Sequence, residues 1–182
     1  MIMTRYVAFL RAINVGGHNV KMDALRALFE SMKLASVETF IASGNVIFET
    51  NRRDPAALHA TIESTLAKAL GYEVTTFLRT DAELAQVAAY KPFPDAAVAA
   101  AATFCVGFLA APLDEESTRK AMALKTAIDD FHVHGSEFYW LGGLKQSETK
   151  FSASVLEKAL KIRTTFRNVN TVQKLAAKFP SR

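Results

Sequence analysis

Arg11, Asn14, Gly16 and Gly17 follow directly on an apolar run, and Ser43, Gly44 and Asn45 interrupt another. An arginine fork, backbone N–H groups exposed by glycine and a nearby helix start are the parts of an anion or phosphate site. The spacing matches neither G-x-x-x-x-G-K-[ST] nor G-x-G-x-x-G. The plainer account of these residues is two turns that need glycine, with asparagine side chains capping the backbone. On the residues alone that account is the stronger. A second polar group comprises Lys150, Thr165, Arg167, Asn168, Asn170, Thr171 and Lys174. One residue of 168–171 is expected to cap the last helix, whose start could hold an anion beside Arg167 and Lys174. Capping plus a solvated basic face is the plainer alternative here too.

Other chemistry has less support. His132 and His134 stand two apart on a strand and share a face, as metal ligands can. No third ligand stands at motif spacing, so no metal site is expected. Ser43 lies in Ala-Ser-Gly-Asn, which is not the G-x-S-x-G elbow of a hydrolase. Asp129-Asp130 reads as the start of a loop and strand, and Trp140 as core. The one cysteine, Cys105, sits in an apolar strand and reads as a small hydrophobe. No general base or nucleophile can be named, so enzyme activity stays open, and no cofactor is expected.

The elements that position these residues come in duplicate. Val7-Ala8-Phe9-Leu10-Arg11-Ala12 returns as Val106-Gly107-Phe108-Leu109-Ala110-Ala111. In the first copy Tyr6 to Arg11 is apolar on both alternating faces, as in a central strand. Met22, Leu25, Leu28, Phe29 and Met32 form a helical stripe. Val37 to Thr50 folds into a hairpin at Ser43-Gly44-Asn45. Asp54-Pro55 opens a helix that Gly71 ends. Val74 to Arg79 is a strand, and Thr80 to Glu83 has capping-box spacing before a third helix.

The second copy repeats this order. Thr103 to Ala110 is a strand, Asp114 to Ala127 a helix, and Phe131 to Leu141 a hairpin turning at Gly135-Ser136. Ser154 to Glu157 has capping-box spacing, Thr164 to Arg167 is the last strand, and a final helix carries Val172, Leu175, Ala176 and Phe179. The expected fold is therefore α+β, a tandem pair of ferredoxin-like halves, each βαββαβ plus a trailing helix. The halves are expected at residues 1–95 and 96–182, packed as one compact unit. In this topology the end of the first strand and the following hairpin share one end of the sheet. Arg11, Asn14, Gly16 and Gly17 should then meet Ser43, Gly44 and Asn45. Arg79 corresponds to Arg167, but Arg11 corresponds to Ala110, so only the first copy can carry a site there.

The 182 residues are 50% hydrophobic and 22% charged, which supports a buried core rather than disorder. A net charge of +4 is compatible with an anionic partner, but no long basic run marks a nucleic-acid footprint. The first strands are apolar on both faces and the third strands lack the RNP1 pattern, so a nucleic acid would have to use loop edges. Ala96 to Leu113 carries no charge. Its alanines, Gly107 and Pro112 read as a linker running into a buried strand rather than a membrane span. No signal peptide is visible, and a lone cysteine fits a reducing cytoplasm, the expected location.

Three ordered segments then carry a resemblance: Tyr6 to Gly17, Ser43-Gly44-Asn45-Val46-Ile47-Phe48, and Thr165-Phe166-Arg167-Asn168-Val169-Asn170-Thr171. Over essentially the whole chain the protein resembles a bacterial uncharacterised family, domain of unknown function 1697. The resemblance implies two ferredoxin-like halves and supplies no established activity. Ala12 stands where the family usually has Gly, and Val169 where it usually has Trp. The motifs coincide with the two polar groups, which favours at least one of them as a site. The expectation is a soluble protein binding a phosphate-bearing small molecule or a nucleic-acid backbone. An enzyme acting on such a ligand, or an interaction module without one, is the alternative.

Overall fold

The computed structural model describes residues 3–14 and 16–181. The first copy runs β1 (Thr4–Leu10), α1 (Met22–Ser31), β2 (Ala35–Thr39), β3 (Asn45–Thr50), α2 (Pro55–Leu70), β4 (Thr76–Thr80) and α3 (Asp81–Ala89). A short α4 (Asp95–Ala100) precedes the second copy. That copy runs β5 (Thr103–Phe108), α5 (Glu115–Met122), β6 (Asp129–His134), β7 (Glu137–Gly142), α6 (Ala153–Leu160), β8 (Thr165–Asn168) and α7 (Val169–Lys178). The sheets have the orders β2-β3-β1-β4 and β6-β7-β5-β8, with every neighbouring pair antiparallel. This is the βαββαβ order of the ferredoxin-like fold, made twice. The contacts divide the chain into one unit of Met1–Leu84 with Phe179–Arg182 and a second of Ala85–Lys178.

Period-2 alternation builds the first core. Tyr6, Ala8 and Leu10 of β1 join Val46 and Phe48 of β3 against Leu25 and Phe29 of α1 and Leu58, Ile62 and Leu66 of α2. Val7 and Phe9, on the opposite face of β1, are fully buried as well, which is why the strand reads as an unbroken apolar run. Asp54 caps α2 by accepting from the N–H groups of Ala56 and Ala57 at 2.9 and 3.0 Å. Such a cap is worth about 1 kcal/mol. Gly71 ends the helix at φ 80°. The Thr80–Glu83 box forms as expected, with Thr80 N donating to Glu83 and Glu83 N to the Thr80 hydroxyl.

The second core is aromatic. Phe131, Phe138, Trp140 and Phe151 gather with Cys105 and Leu156. Trp140 meets Phe151 and Phe166 edge-on, with ring centres at 4.9 and 5.9 Å. Its indole N–H donates to Asp129 at 2.8 Å, so the one polar atom of the ring is satisfied inside the core.

Three sequence expectations need correction. The cap of α6 is Ser152, which accepts from Val155 N. Glu157 does not close a box with Ser154, because its Oε1 is bonded to Thr164 N at 3.0 Å. Helix α5 stops at Met122 rather than near Ala127, since Thr126 is held by Asp129 in the approach to β6. The uncharged stretch before β5 is not only a linker, because its first part is α4.

The duplication extends to how the edge strands β4 and β8 are finished. Glu63 of α2 accepts from Thr76 N at 2.7 Å, just as Glu157 of α6 accepts from Thr164 N. Arg79 donates to Leu78 O at 2.8 Å, and Arg167 donates to Phe166 O at 2.9 Å. Side chains thus take up backbone groups that an unprotected edge would offer to another strand.

Candidate functional site

The end of β1 and the β2–β3 turn meet as the topology requires. Leu10 N donates to Gly44 O at 2.8 Å. Asn14 locks the next loop onto the same turn. Its Nδ2 donates to Ala42 O at 3.1 Å, while its Oδ1 accepts from Val20 N at 2.6 Å. Asn45 is fully buried and donates to Phe40 O and to the Ser43 hydroxyl, each at 2.9 Å. Both asparagines are therefore structural struts. Gly44 is required by space as well as by its φ of 75°, because a Cβ there would lie 3.0 Å from the Ile13 side chain.

The backbone of this corner is unusual. Ala12, Asn14 and Ile41 have φ values of 57°, 57° and 53°, in the left-handed region that non-glycine residues seldom occupy. Gly16 and Gly17, at φ 62° and 90°, are exposed, and nothing lies within 4 Å of where a Cβ would stand on either. Their loop leads into α1, whose N-cap, Lys21, makes no side-chain cap. Asp54, Asp114 and Ser152 cap α2, α5 and α6. An uncapped start leaves N–H groups and the positive end of the helix dipole facing the loop. Arg11 is anchored by its backbone N–H on Thr75 O at 2.8 Å, and its side chain is partly exposed.

Three features here were not singled out from the sequence. Lys21 supplies a cation at the helix start. His18 is exposed and stacks on Tyr72 with ring centres 3.8 Å apart. Ile41 is 53% exposed at the tip of the turn. The missing Ser, Thr, Asp or Asn immediately before Met22 was a legible sign of the uncapped helix. The stacked pair carried no such sign, since His18 and Tyr72 are far apart in the chain.

The second polar group separates. Arg167 is buried, with Nη1 on the Thr165 hydroxyl at 2.8 Å. Burial lowers the pKa of its guanidinium to about 10. Asn168 caps α7 by accepting from Asn170 N at 2.9 Å. Asn170 and Thr171 therefore lie inside the helix, not before it. Lys150 and Lys174 are exposed, so these residues do not share one surface with Arg167.

Of the remaining candidates, Cys105 is buried and its thiol is pushed up to about 12 by that burial, against a hydrogen bond from Gln146. That makes it inert rather than nucleophilic. Among the described residues no group of three or more His, Cys, Asp or Glu is placed to hold a metal ion. No described helix is long and apolar enough to cross a membrane.

Two antiparallel βαββαβ units in tandem define an α+β protein with a duplicated ferredoxin-like fold. The sequence profile of the family described as "Protein of unknown function (DUF1697)" matches residues 3–139, and the chain belongs to that family. Its structure is similar to that of a conserved bacterial protein, SP0830, from Streptococcus pneumoniae. The TM-score is 0.75 at 24% identity, over 97% of this chain and 98% of that one. This likeness is one of fold. No curated protein matches.

Proposed function

We propose that the β1–α1 loop and the β2–β3 turn bind a phosphate-bearing ligand. The observation that carries the reading is the exposed, left-handed Gly16-Gly17 backbone leading into the uncapped, Lys21-bearing start of α1. Backbone donors at a helix start favour an anion, and Arg11 and Lys21 add positive charge around it. Asn14, Gly44 and Asn45 hold the two loops in register and need not touch the ligand. Ser43 and Arg11 are the side chains expected to contact it. A small phosphate ester fits this reading better than a nucleic-acid backbone, because Arg11 and Lys21 are the cations at this corner and no long basic run adjoins them.

A thermal-shift panel of orthophosphate, pyrophosphate, nucleoside phosphates and short RNA tests the proposal. A binder at a hundredfold excess over its Kd should raise Tm by roughly 5–10 °C. The double variant Arg11→Ala/Lys21→Ala should lose that rise while keeping its unliganded fold. If no phosphate compound raises Tm, the corner is a structural joint and the phosphate reading fails.

A further inference from the structure

We propose that the segment following α3 is a pH-sensitive strap, held on the second sheet by neutral His132 and by stacking on the His134 ring.

The strap is Tyr90 to Phe93, within the stretch that connects the two copies. Tyr90 N closes the end of α3 on Gln86 O at 3.0 Å. Its side chain then lies against the face of the second sheet shared by His132, His134 and Tyr139, opposite the core that α5 and α6 cover. The phenol oxygen is 2.8 Å from His132 Nε2. The phenol ring stacks on His134, with centres 4.1 Å apart and planes 12° from parallel. It also leans on Tyr139 at 5.4 Å. Phe93 adds edge contacts to Phe104 at 5.9 Å and to His132 at 6.4 Å. The two histidines are neighbours on one face of β6, so one phenol ring touches both.

In the proposed neutral arrangement the Tyr90 hydroxyl donates into His132 Nε2. A protonated imidazole carries a hydrogen on both nitrogens and accepts nothing. Proton uptake therefore forces Tyr90 to turn its hydroxyl hydrogen away, into a partly buried cluster. It also sets a positive charge beside the Tyr90 phenol and the neighbouring His134 ring. The charged and titratable groups around the pair are few. Asp130 lies on the same face of β6 and is paired with Lys125 at 2.5 Å. Glu137 and Tyr139 of β7 stand opposite His134 and His132. On the strap, Lys91 is paired with Asp95 at 3.0 Å. Burial lowers the His132 pKa, His134 lowers it further, and Asp130 opposes them.

The sign follows from that direction. A histidine whose folded pKa is depressed binds fewer protons folded than unfolded below its ordinary value near 6.5. The strap is then fully held above about pH 6.5 and is weakened as pH falls toward the folded pKa.

Amide exchange of residues 88–96, corrected for the intrinsic rate at each pH, tests the strap on the full chain. The wild type should lose protection by roughly tenfold between pH 7.5 and 5, the scale of one lost hydrogen bond. His132→Gln, which cannot titrate, should show no such pH step. Tyr90→Phe keeps the stacking and removes the hydroxyl. In that variant the His132 ring, followed by NMR, should titrate at a higher pH than in the wild type. Unchanged protection in the wild type across this range, or a His132 titration that Tyr90→Phe leaves in place, would overturn the proposal.

Discussion

The ends of β1 and β5 make the same joint and then part company. Leu10 N bonds Gly44 O at 2.8 Å, and Leu109 N bonds Ser136 O at 2.9 Å. Beyond the joint the first unit runs through a loop of left-handed residues to an uncapped helix. The second passes through Ala110-Ala111-Pro112 to α5, which Asp114 caps by accepting from Ser117 N at 2.7 Å. The frame needs only the joint, as the second unit demonstrates. The left-handed backbone of the first unit is an added feature, and such backbone persists only where its surroundings over-determine it. That contrast is the physical reason to look for a ligand at one copy and not at the other.

The sharpest way to break the comparison lies in the cores. Ala8 faces Leu78 across β1 and β4, and at the equivalent place Gly107 faces Phe166 across β5 and β8. A Cβ on Gly107 would stand 2.8 Å from the Phe166 ring. The second unit therefore exchanged a methyl group on the central strand for a larger ring on the edge strand, and the ring joined the Trp140 cluster. Gly107→Ala should destabilise by about 1–3 kcal/mol through overpacking. Adding Phe166→Leu recreates the first unit's pair and should recover at least about 1 kcal/mol relative to the sum of the single changes. Urea denaturation of the four proteins of the cycle measures this. Simple additivity would mean that the two units do not share one packing rule.

Next in size are the carboxylates that finish the edge strands. Glu157 is buried and Glu63 is partly exposed, yet both accept from a strand N–H. Glu157→Ala leaves a buried N–H without its acceptor and should cost about 2 kcal/mol. Glu63→Ala lets water in and should cost about half of that. Equal losses in denaturation would show that burial does not set the difference.

Much of this was legible beforehand, for identifiable reasons. The repeat, the α2 cap at Asp54 and the Thr80–Glu83 box are local patterns of a few residues, and each appears where the pattern stands. The meeting of the β1 end and Asn14 with the β2–β3 turn followed from topology alone, because antiparallel β1–β3 pairing fixes which ends adjoin. Long-range choices were not legible. Glu157 fits a capping box by spacing, but Thr164 N competes for it across the fold. Arg167 reads as a surface cation from its neighbours, yet it is buried in β8. The asparagines of the corner look like ligand groups in sequence and serve as struts in three dimensions. The family's usual glycine at position 12 gains a reason here, since Ala12 sits at φ 57°.

That residue gives the smallest test and the one that turns on sign. An L-residue in the left-handed region costs about 1–2 kcal/mol. Glycine avoids that penalty but enlarges the unfolded ensemble by about 0.4–1 kcal/mol. Ala12→Gly should therefore stabilise the protein by roughly 0.5–1 kcal/mol. Ala111 is the equivalent residue of the second unit and is not in the left-handed region. Ala111→Gly meets only the unfolded-state term and should destabilise by about 0.4–1 kcal/mol. Opposite signs in urea denaturation, with unchanged m-values, would establish that the first loop holds its left-handed backbone in solution. Equal signs would remove the distinction between the two ends, and with it the structural ground for a ligand at the first.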